Sequence, residues 1–276
     1  MTKIAILQMT SGIDPETNCA EIECAAAEAA GQGASALFTP EMALLLDRDR
    51  QRATVTIAAE EYGSYVSRLA RCSQSEGIDI ALGSMPVALA DGRLANRSCY
   101  FPAAGSEARS YDKLHMFDVD LASGESWRES NVYVPGNEVV TVDNTPIGRL
   151  GLSICYDIRF PALFEALGQA RCDAIAIPAA FTVPTGQAHW HLLQRARAVE
   201  ASAYVIAAAQ IGEHEDGRRT YGHSLVVDPW GDVLLDMGGE APGLGFAEVN
   251  LERVSQVRSQ LPSLANRREI ANSKLS

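Results

Sequence analysis

The sequence predicts a layered α/β protein with two sheets and outer helices. Strand-length apolar runs rich in Ile, Val, Leu and Ala recur along the chain and alternate with segments of helical pattern. Neither an internal repeat of solenoid length nor a Ser/Gly linker interrupts this alternation. The 276 residues are 47% hydrophobic and 21% charged, which suffices for a substantial core. We therefore expect one domain over residues 1–276, with about the last ten residues as a tail.

Local signals place the elements of the first half of the chain. Residues 3–9 form an apolar run typical of a buried strand, and Pro15 suits the first turn of an Ala-rich helix that Gly31 and Gly33 end. The same patterns predict a strand at 36–39, a helix at 60–76, a strand at 78–85 and a hairpin of 97–101 with 108–112.

The regular periodicity stops between residues 113 and 139, where Asp, Glu, Ser, Gly and Trp are mixed. Loops longer than about 12 to 15 residues in a compact domain are usually functional or disordered, and this composition favours function. Alternation then resumes with a strand at 149–154, a helix at 161–169, a strand at 174–177, a helix at 186–202 and a strand at 204–209. The turn Pro229-Trp230-Gly231 predicts a hairpin of 224–228 with 232–236, before a last strand at 245–249.

The charge balance argues against two classes of partner. Lys plus Arg number 23 and Asp plus Glu number 35, which gives a formal charge of −12. Nucleic acids and anionic membrane surfaces both require a basic face, so we expect neither as a partner. No apolar run approaches the roughly 18 to 20 residues of a membrane-spanning helix.

Six cysteines raise the question of disulfides. The chain is long, and its first residues have a strand pattern rather than that of a secretory signal. We therefore expect reduced thiols in a cytoplasmic protein. Five of these residues are interpreted as small packing residues: Cys19, Cys24, Cys72, Cys99 and Cys172.

Cys155 differs because it stands where the strand at 149–154 turns into a helix. Such a turn exposes a side chain at the sheet edge and directs the following backbone N–H groups toward whatever that side chain attacks. Its neighbours Asp157 and Arg159 are polar and have little reason to lie deep in a core. Cys155 is therefore the candidate nucleophile, and a buried packing thiol is the alternative.

Two charged residues, Glu41 and Lys113, also stand at the ends of predicted strands. The apolar neighbours of Glu41 would desolvate its carboxylate and raise its pKa toward that of a general base. Each residue taken alone has a simpler interpretation, a helix N-terminal charge for Glu41 and a surface ammonium for Lys113. The presence of Cys155, Glu41 and Lys113 at the ends of three predicted strands favours a catalytic role instead.

Three segments around these residues resemble a known family: residues 40–42 (PEM), 111–118 (YDKLHMFD) and 154–161 (ICYDIRFP). In this order and spacing they are similar to the signature regions of the nitrilase superfamily of carbon–nitrogen hydrolases. The similarity runs from residue 3 to about residue 269. It implies a four-layer α-β-β-α sandwich of the nitrilase type, with two mixed sheets and outer helices, in a homodimer or higher homo-oligomer.

The resemblance also implies catalytic roles. It makes Cys155 the nucleophile, Glu41 the general base and Lys113 the cation beside the tetrahedral intermediate. The backbone N–H of Tyr156 would complete the oxyanion hole. An acyl thioester would form on the cysteine and be hydrolysed by water, and the chemistry implies no metal and no organic cofactor.

The family often supplies a second glutamate from the loop after the lysine. Glu129, in the segment WRES at 127–130, matches that pattern best and is the fourth predicted catalytic residue. Glu125 is the alternative, because residues 121–124 depart from the Pro-Gly more usual there and the alignment could slip.

Two regions of the sequence, one within residues 180–200 and one within residues 221–231, indicate the substrate class. Residues 180–190 and 195–200 resemble the amidases that act on deaminated glutathione and the omega-amidases, and residues 221–231 are closer to the first branch. Both branches cleave an amide at the far end of a 2-oxo dicarboxylic acyl group, so the resemblance implies a small amide substrate with a carboxylate. Nitriles, N-carbamoyl amino acids and simple aliphatic amides stay open as substrates. A catalytically silent binding member of the fold is the alternative outside enzymes.

A substrate with a carboxylate needs a cation in this acidic protein. Arg159, four residues after the proposed nucleophile, is the candidate for a bidentate carboxylate contact, with an ion pair to Asp157 or Glu200 as the alternative. Lys113 and Arg159, focused in a cleft, would then attract the substrate. By the resemblance, three further residues line the substrate pocket: Tyr156, Phe181 and Thr185.

Two positions depart from the family pattern. Ala162 interrupts the usual Pro-Glu-Leu, and His191 replaces the Glu that usually follows Ala-His-Trp, where it could change the charge at the pocket wall. His189 and His191 also raise the alternative of a metal-dependent hydrolase. On a helix, however, two such imidazoles diverge by about 200°, and the chain has no Cys-x-x-Cys or His-x-x-x-His spacing, so we expect no metal site.

Overall fold

The structure, a computed structural model, describes residues 1–120, 124 and 126–268. The helices are α1 Pro15–Gly31, α2 Arg50–Ala58, α3 Ser64–Glu76, α4 Pro161–Gln169, α5 Val183–Ala201, α6 Leu251–Gln260 and α7 Ser263–Asn266. The strands of the first half are β1 Thr2–Gln8, β2 Ala36–Phe38, β3 Asp79–Ala88, β4 Leu94–Phe101, β5 Arg109–Asp112, β6 Asp118–Asp120 and β7 Ser126–Arg128. Those of the second half are β8 Thr141–Thr145, β9 Gly148–Leu152, β10 Ala174–Ala176, β11 Tyr204–Ala207, β12 Ile211–Glu213, β13 Arg219–Tyr221, β14 Leu225–Val227, β15 Val233–Asp236 and β16 Gly243–Val249. The alternative glutamate, Glu125, and residues 269–276 of the predicted tail lie outside the described residues.

Two six-stranded mixed sheets contain most of the strands. The first has the order β16-β1-β2-β3-β4-β5 and the second β15-β14-β11-β10-β9-β8. Each has three parallel strands at its centre, β1-β2-β3 in one and β9-β10-β11 in the other, flanked by antiparallel strands. Short connections after the parallel strands therefore gather at one edge of each sheet, the usual place for a ligand site in α/β proteins.

Alternation along β1 shows how the layers stack. Ile4 and Ile6 belong to the buried cluster that also contains the second sheet, whereas Ala5 and Leu7 pack in a cluster with α1 and α3. Helices α4 and α5 pack together, and α5 contacts β11 and β14 of the second sheet. The order is thus helices, sheet, sheet, helices, which confirms the predicted four-layer α-β-β-α sandwich.

Most predicted elements are present, and the differences have local causes. Residues Glu60–Gly63 form a 3₁₀ turn, so α3 begins at Ser64, four residues after its predicted start. Helix α5 begins at Val183, earlier than predicted, because Pro184 is compatible with a first helical turn. The predicted loop contains the hairpin β6–β7. Helix α2 was not predicted because its only buried residue is Ile57, which leaves no apolar periodicity to detect.

Four cysteines, Cys19, Cys99, Cys155 and Cys172, are buried, and all six are free thiols. Cys24 is exposed, so the prediction that it is a buried packing residue is wrong. Cys72 is half-buried, so the same prediction is only partly right for it. No helix among the described residues is long and apolar enough to cross a bilayer.

Candidate active site

One cavity of about 520 Å³ lies beside the segments that follow β2, β5, β9 and β10. A volume of this size is typical of a small-molecule site. All eight predicted site residues line it: Glu41, Lys113, Glu129, Cys155, Tyr156, Arg159, Phe181 and Thr185. The fold thus brings together side chains that are far apart in the sequence.

Glu41 is held by a tight turn after β2. Its neighbour Met42 has a positive φ of 55°, and the N–H of Met42 donates to Ser84 Oγ at 2.9 Å. Gly83 of β3 permits this turn, because a Cβ at that position would lie 2.1 Å from the carbonyl oxygen of Thr39. The N–H of Ala180, after β10, donates to Glu41 Oε2 at 3.0 Å and fixes the carboxylate.

Lys113 lies between two carboxylates at the end of β5. Its Nζ is 2.9 Å from Glu41 Oε1 and 2.8 Å from Glu129 Oε2, and its side chain is only 2% exposed. Burial alone would lower the pKa of this ammonium, but Glu129 and Glu41 outweigh burial and raise the pKa well above its usual value. The three groups together carry a net negative charge, so Lys113 is not the free cation that the sequence analysis expected to attract substrate.

Asn96 of β4 is a member of this network that the sequence analysis missed. Its Nδ2 donates to Glu41 Oε1 at 3.0 Å and to Glu129 Oε1 at 3.3 Å, so one amide bridges both carboxylates. Glu129 is also fixed by the backbone N–H of Phe117, which lies 2.6 Å from its Oε2. An asparagine inside a strand carries no local signal for this role, because only the pairing of β4 with β3 and β5 places it there.

Cys155 occupies a strained turn directly after β9. Its φ is +47°, a conformation that non-glycine residues rarely adopt and that accumulates at functional sites. Its N–H donates to the carbonyl oxygen of Pro178 at 2.8 Å, which ties the turn to the end of β10. Residues Cys155–Arg159 form a 3₁₀ helix, and the N–H of Tyr156 belongs to its first turn, where backbone donors lack helical acceptors.

Burial and charge set the protonation of Cys155 and Glu41. Burial raises the pKa of the Cys155 thiol well above its usual value, and the negative charge of Glu41 adds to the effect. Burial also raises the pKa of Glu41, but the Lys113 ammonium and hydrogen bonds from Cys155 and Asn96 outweigh it, so the net pKa of Glu41 is lowered. The expectation that desolvation makes Glu41 the stronger base is therefore wrong for the resting site.

Asp157 has a structural position that the sequence analysis did not foresee. It is fully buried and accepts hydrogen bonds from Tyr111 Oη at 2.7 Å, from the N–H of Ile154 at 2.9 Å and from the N–H of His115 at 3.0 Å. These bonds join the Cys155 turn to the Lys113 segment. Asp157 therefore lies deep in the protein because its acceptors are satisfied there.

Arg159 points its guanidinium toward aromatic rings of the cavity. The guanidinium carbon lies 5.6 Å from the Phe181 ring centroid and 5.9 Å from that of Tyr156. Neither Asp157 nor Glu200 pairs with it, because Glu200 binds Arg197 at 2.5 Å, and no carboxylate of the described residues forms a salt bridge with Arg159. Phe181 also packs against Trp190, and the Thr185 hydroxyl lies 2.9 Å from that of Thr182.

The two departures from the family pattern lie outside the cavity lining. Ala162 is exposed in the first turn of α4. His191 Nε2 lies 2.9 Å from Asp236 Oδ2, and His223 Nδ1 lies 2.9 Å from the other oxygen of Asp236. The expectation that His191 alters the pocket wall is therefore wrong. The three groups are close enough to hold a metal ion, but each imidazole already has the carboxylate as a hydrogen-bond partner.

The fold and this arrangement define a class of protein in chemical terms. A buried thiol beside a carboxylate, an ammonium and a backbone N–H can attack a carbonyl carbon, store the acyl group as a thioester and stabilise the oxyanion. Such an arrangement is suited to acyl transfer through a cysteine.

The carbon–nitrogen hydrolase profile matches residues 3–259, so the chain belongs to that family. Two similar relatives are deaminated glutathione amidases. The one from Synechocystis is 38% identical over 95% of this chain and 97% of its own length. The human protein is 36% identical over 96% of this chain and 82% of its own length.

Solved structures agree on the fold. The C. elegans NitFhit protein superposes with a TM-score of 0.89 at 34% identity, covering 97% of this chain and 65% of that one. Saccharomyces cerevisiae Nit3, a member of branch 10 of the nitrilase superfamily, gives a TM-score of 0.85 at 26% identity and covers 97% of both chains. The resemblance to the nitrilase superfamily is thereby confirmed.

Proposed function

We propose that this protein is an amidase that hydrolyses deaminated glutathione to 2-oxoglutarate and cysteinylglycine. The observation that carries the proposal is a cavity lined by Cys155 together with the buried ion pairs of Lys113 with Glu41 and Glu129. Similarity over nearly the full length to relatives named for this activity supports the choice of substrate.

Acylation begins with the Cys155 thiol, which is protonated in the resting site because its pKa is raised. As sulfur attacks the amide carbon, its proton passes to Glu41, the hydrogen-bonded carboxylate. The carbonyl oxygen becomes an oxyanion beside the Lys113 ammonium and the N–H of Tyr156. Glu41 then gives the proton to the departing amine, the C–N bond breaks, and an acyl thioester remains on Cys155.

Deacylation reuses the same groups. Water attacks the thioester carbon while Glu41 accepts its proton, and the C–S bond breaks to release the carboxylic acid and regenerate the thiol. Glu129 is a positioning residue in this scheme. Its two oxygens lie 3.0 and 2.8 Å from Lys113 Nζ; they keep the ammonium ionised and directed at the carbonyl oxygen that becomes the oxyanion.

Arg159 binds the carboxylate of the 2-oxo acid end of the substrate. In the described part of the chain its guanidinium has no carboxylate partner; it lies against two aromatic rings, is half-buried, and has its Nη2 3.3 Å from His189 Nδ1. A planar guanidinium in such a place suits bidentate carboxylate binding. Phe181, Tyr156 and Thr185 form the wall around the acyl chain.

Product analysis with the purified protein tests the function. We expect release of cysteinylglycine from deaminated glutathione at a higher kcat/KM than ammonia release from 2-oxoglutaramate, and slower turnover of nitriles, N-carbamoyl amino acids and simple amides. Cys155→Ala should lose activity by about 10⁴-fold or more, whereas Cys24→Ala, which removes an exposed thiol, should keep it. A preference for 2-oxoglutaramate would instead identify an omega-amidase, and full activity of Cys155→Ala would refute the mechanism.

We further propose one domain and a cytoplasmic homodimer. Both sheets share one buried cluster, which supports a single folding unit, and six free thiols suit a reducing compartment.

Exposed apolar side chains lie on α5 and on the β14–β15 hairpin, and they supply the dimer contact: Leu192, Val199, Trp230, Val233 and Leu234.

A further inference from the structure

A second group of cations lies at the cavity, apart from Arg159. The guanidinium carbons of Arg48 and Arg218 lie 5.9 and 5.4 Å from the ring centroid of Trp127, which is also part of the lining. Among the described residues, seven Lys or Arg side chains and three carboxylates line the cavity of a protein whose formal charge is −12. Positive charge is therefore concentrated at this cavity.

Arg48 is the cation of this group whose charge is not compensated. The neighbouring carboxylates are engaged elsewhere: Asp47 pairs with Arg52 at 2.7 Å, and Asp49 caps α2. Asp216 binds Arg218 through Nε and Nη2, both at 2.9 Å. Within residues 1–120, 124 and 126–268, Arg48 forms no salt bridge.

A series of aromatic contacts along the cavity wall locates Arg48 and Arg159 relative to each other. Trp127 packs on Phe117 with centroids 6.4 Å apart, and Phe117 packs on Tyr156 at 5.1 Å. Arg159 lies at the Tyr156 end of this series and Arg48 at the Trp127 end. Tyr156 directly follows Cys155, and Glu129, beside Phe117, contacts Lys113. The reacting groups are thus placed along the wall that connects the two cations.

We propose that Arg48, against Trp127, binds the terminal carboxylate of the leaving dipeptide, while Arg159 binds the acyl end. This inference rests on the proposed function. Deaminated glutathione carries one carboxylate at its 2-oxo acid end and another on the glycine of its leaving group, on opposite sides of the scissile amide. 2-Oxoglutaramate, which loses only ammonia, lacks the second one. Arg48 is therefore the residue that selects the longer substrate.

Three substrates that share the acyl group test the subsite: deaminated glutathione, its glycinamide analogue without the terminal charge, and 2-oxoglutaramate. The wild-type protein should prefer the acid over the glycinamide by about tenfold in kcat/KM. Arg48→Gln should remove that preference by raising KM for deaminated glutathione. Its kcat should not change, because the contact between Arg48 and the carboxylate is equally strong in the ground state and the transition state. Hydrolysis of 2-oxoglutaramate should stay within about twofold.

Two variants serve as controls. Arg48→Lys should restore part of the preference for the acid, and Arg109→Gln, an exposed arginine outside the cavity lining, should change nothing. Equal loss for all three substrates in Arg48→Gln, or a wild-type protein indifferent to the terminal charge, would overturn the subsite and leave the amidase function intact. A wild-type protein that hydrolyses neither deaminated glutathione nor 2-oxoglutaramate would refute the proposed function, and the subsite with it.

Discussion

At the scale of single residues, the site keeps the thiol of Cys155, the proposed nucleophile, protonated at rest. The pKa of Cys155 is raised because burial and Glu41 disfavour a thiolate, while the Lys113 ammonium and hydrogen bonds from Cys155 and Asn96 lower the pKa of Glu41. The resting site therefore contains a thiol, a carboxylate and an ammonium. A base that is already ionised accepts the thiol proton only as sulfur attacks, which limits side reactions of a free thiolate.

A pH profile tests this balance through Asn96. Its Nδ2 donates to the charged form of Glu41 at 3.0 Å, so Asn96→Ala should raise the pKa of Glu41. Because activity needs the ionised carboxylate, the acidic limb of kcat/KM should move to higher pH, by about half to one unit. Ser98→Ala is the matched control on the same strand, since Ser98 Oγ bonds the carbonyl oxygen of Leu82 instead. An unmoved limb, or one displaced to lower pH, would contradict the assigned base.

At the scale of elements, the close approach of β3 to the segment after β2 positions Glu41. A Cβ at Gly83 would lie 2.1 Å from the Thr39 oxygen and 2.3 Å from the Pro40 oxygen, and both are backbone atoms that cannot move independently. The N–H of Gly83 also donates to Thr39 Oγ1 at 3.0 Å. Gly83 thus helps to place Glu41, the proposed general base, although Gly83 does not line the cavity.

Gly83→Ala should consequently damage both stability and activity. The displaced turn should reduce the free energy of unfolding by about 2 to 4 kcal/mol, measured by urea denaturation, and lower kcat by at least about tenfold. Gly31→Ala is the control, because a Cβ at the end of α1 meets nothing within 4 Å. Alanine there should leave activity unchanged and be neutral or slightly stabilising. Normal kcat in Gly83→Ala would show that Glu41 is positioned by other contacts.

Elements with strong local signals were predictable from the sequence. Helix α1 has Pro15 at its start, and β1 is a buried apolar run, so both patterns reflect the fold directly. Helix α2 and the pair β12–β13 were missed because α2 buries only Ile57 and each of the two strands is three residues long with one buried side chain, too little for a detectable apolar pattern. In the site, Cys155, Glu41 and Lys113 follow strands and were found, whereas Asn96 and Arg48 depend on tertiary neighbours.

At the scale of the whole molecule, the distribution of charge resolves the conflict between an acidic protein and an anionic substrate. Lys113 is compensated by Glu41 and Glu129, so we assign attraction of the acyl carboxylate to Arg159 and attraction of the glycine carboxylate to Arg48. These act over a distance of about one Debye length, which is roughly 8 Å at physiological ionic strength. On the proposed function, local rather than net charge therefore governs substrate capture at this cavity.

The surface of α5 and the β14–β15 hairpin leads to a prediction about assembly. Leu192 is 68% exposed and Leu234 47% exposed, and the helix is joined to the hairpin where Arg195 Nε donates to the carbonyl oxygen of Gly231 at 2.7 Å. We expect light scattering after size-exclusion chromatography to show a dimer for the wild-type protein. The Leu192→Asp/Leu234→Asp variant should be a monomer, because association would bury two charges at the interface. Val55→Asp, which alters a 73% exposed residue on α2, should remain dimeric. A wild-type monomer, or a double variant that stays dimeric, would exclude this surface as the interface.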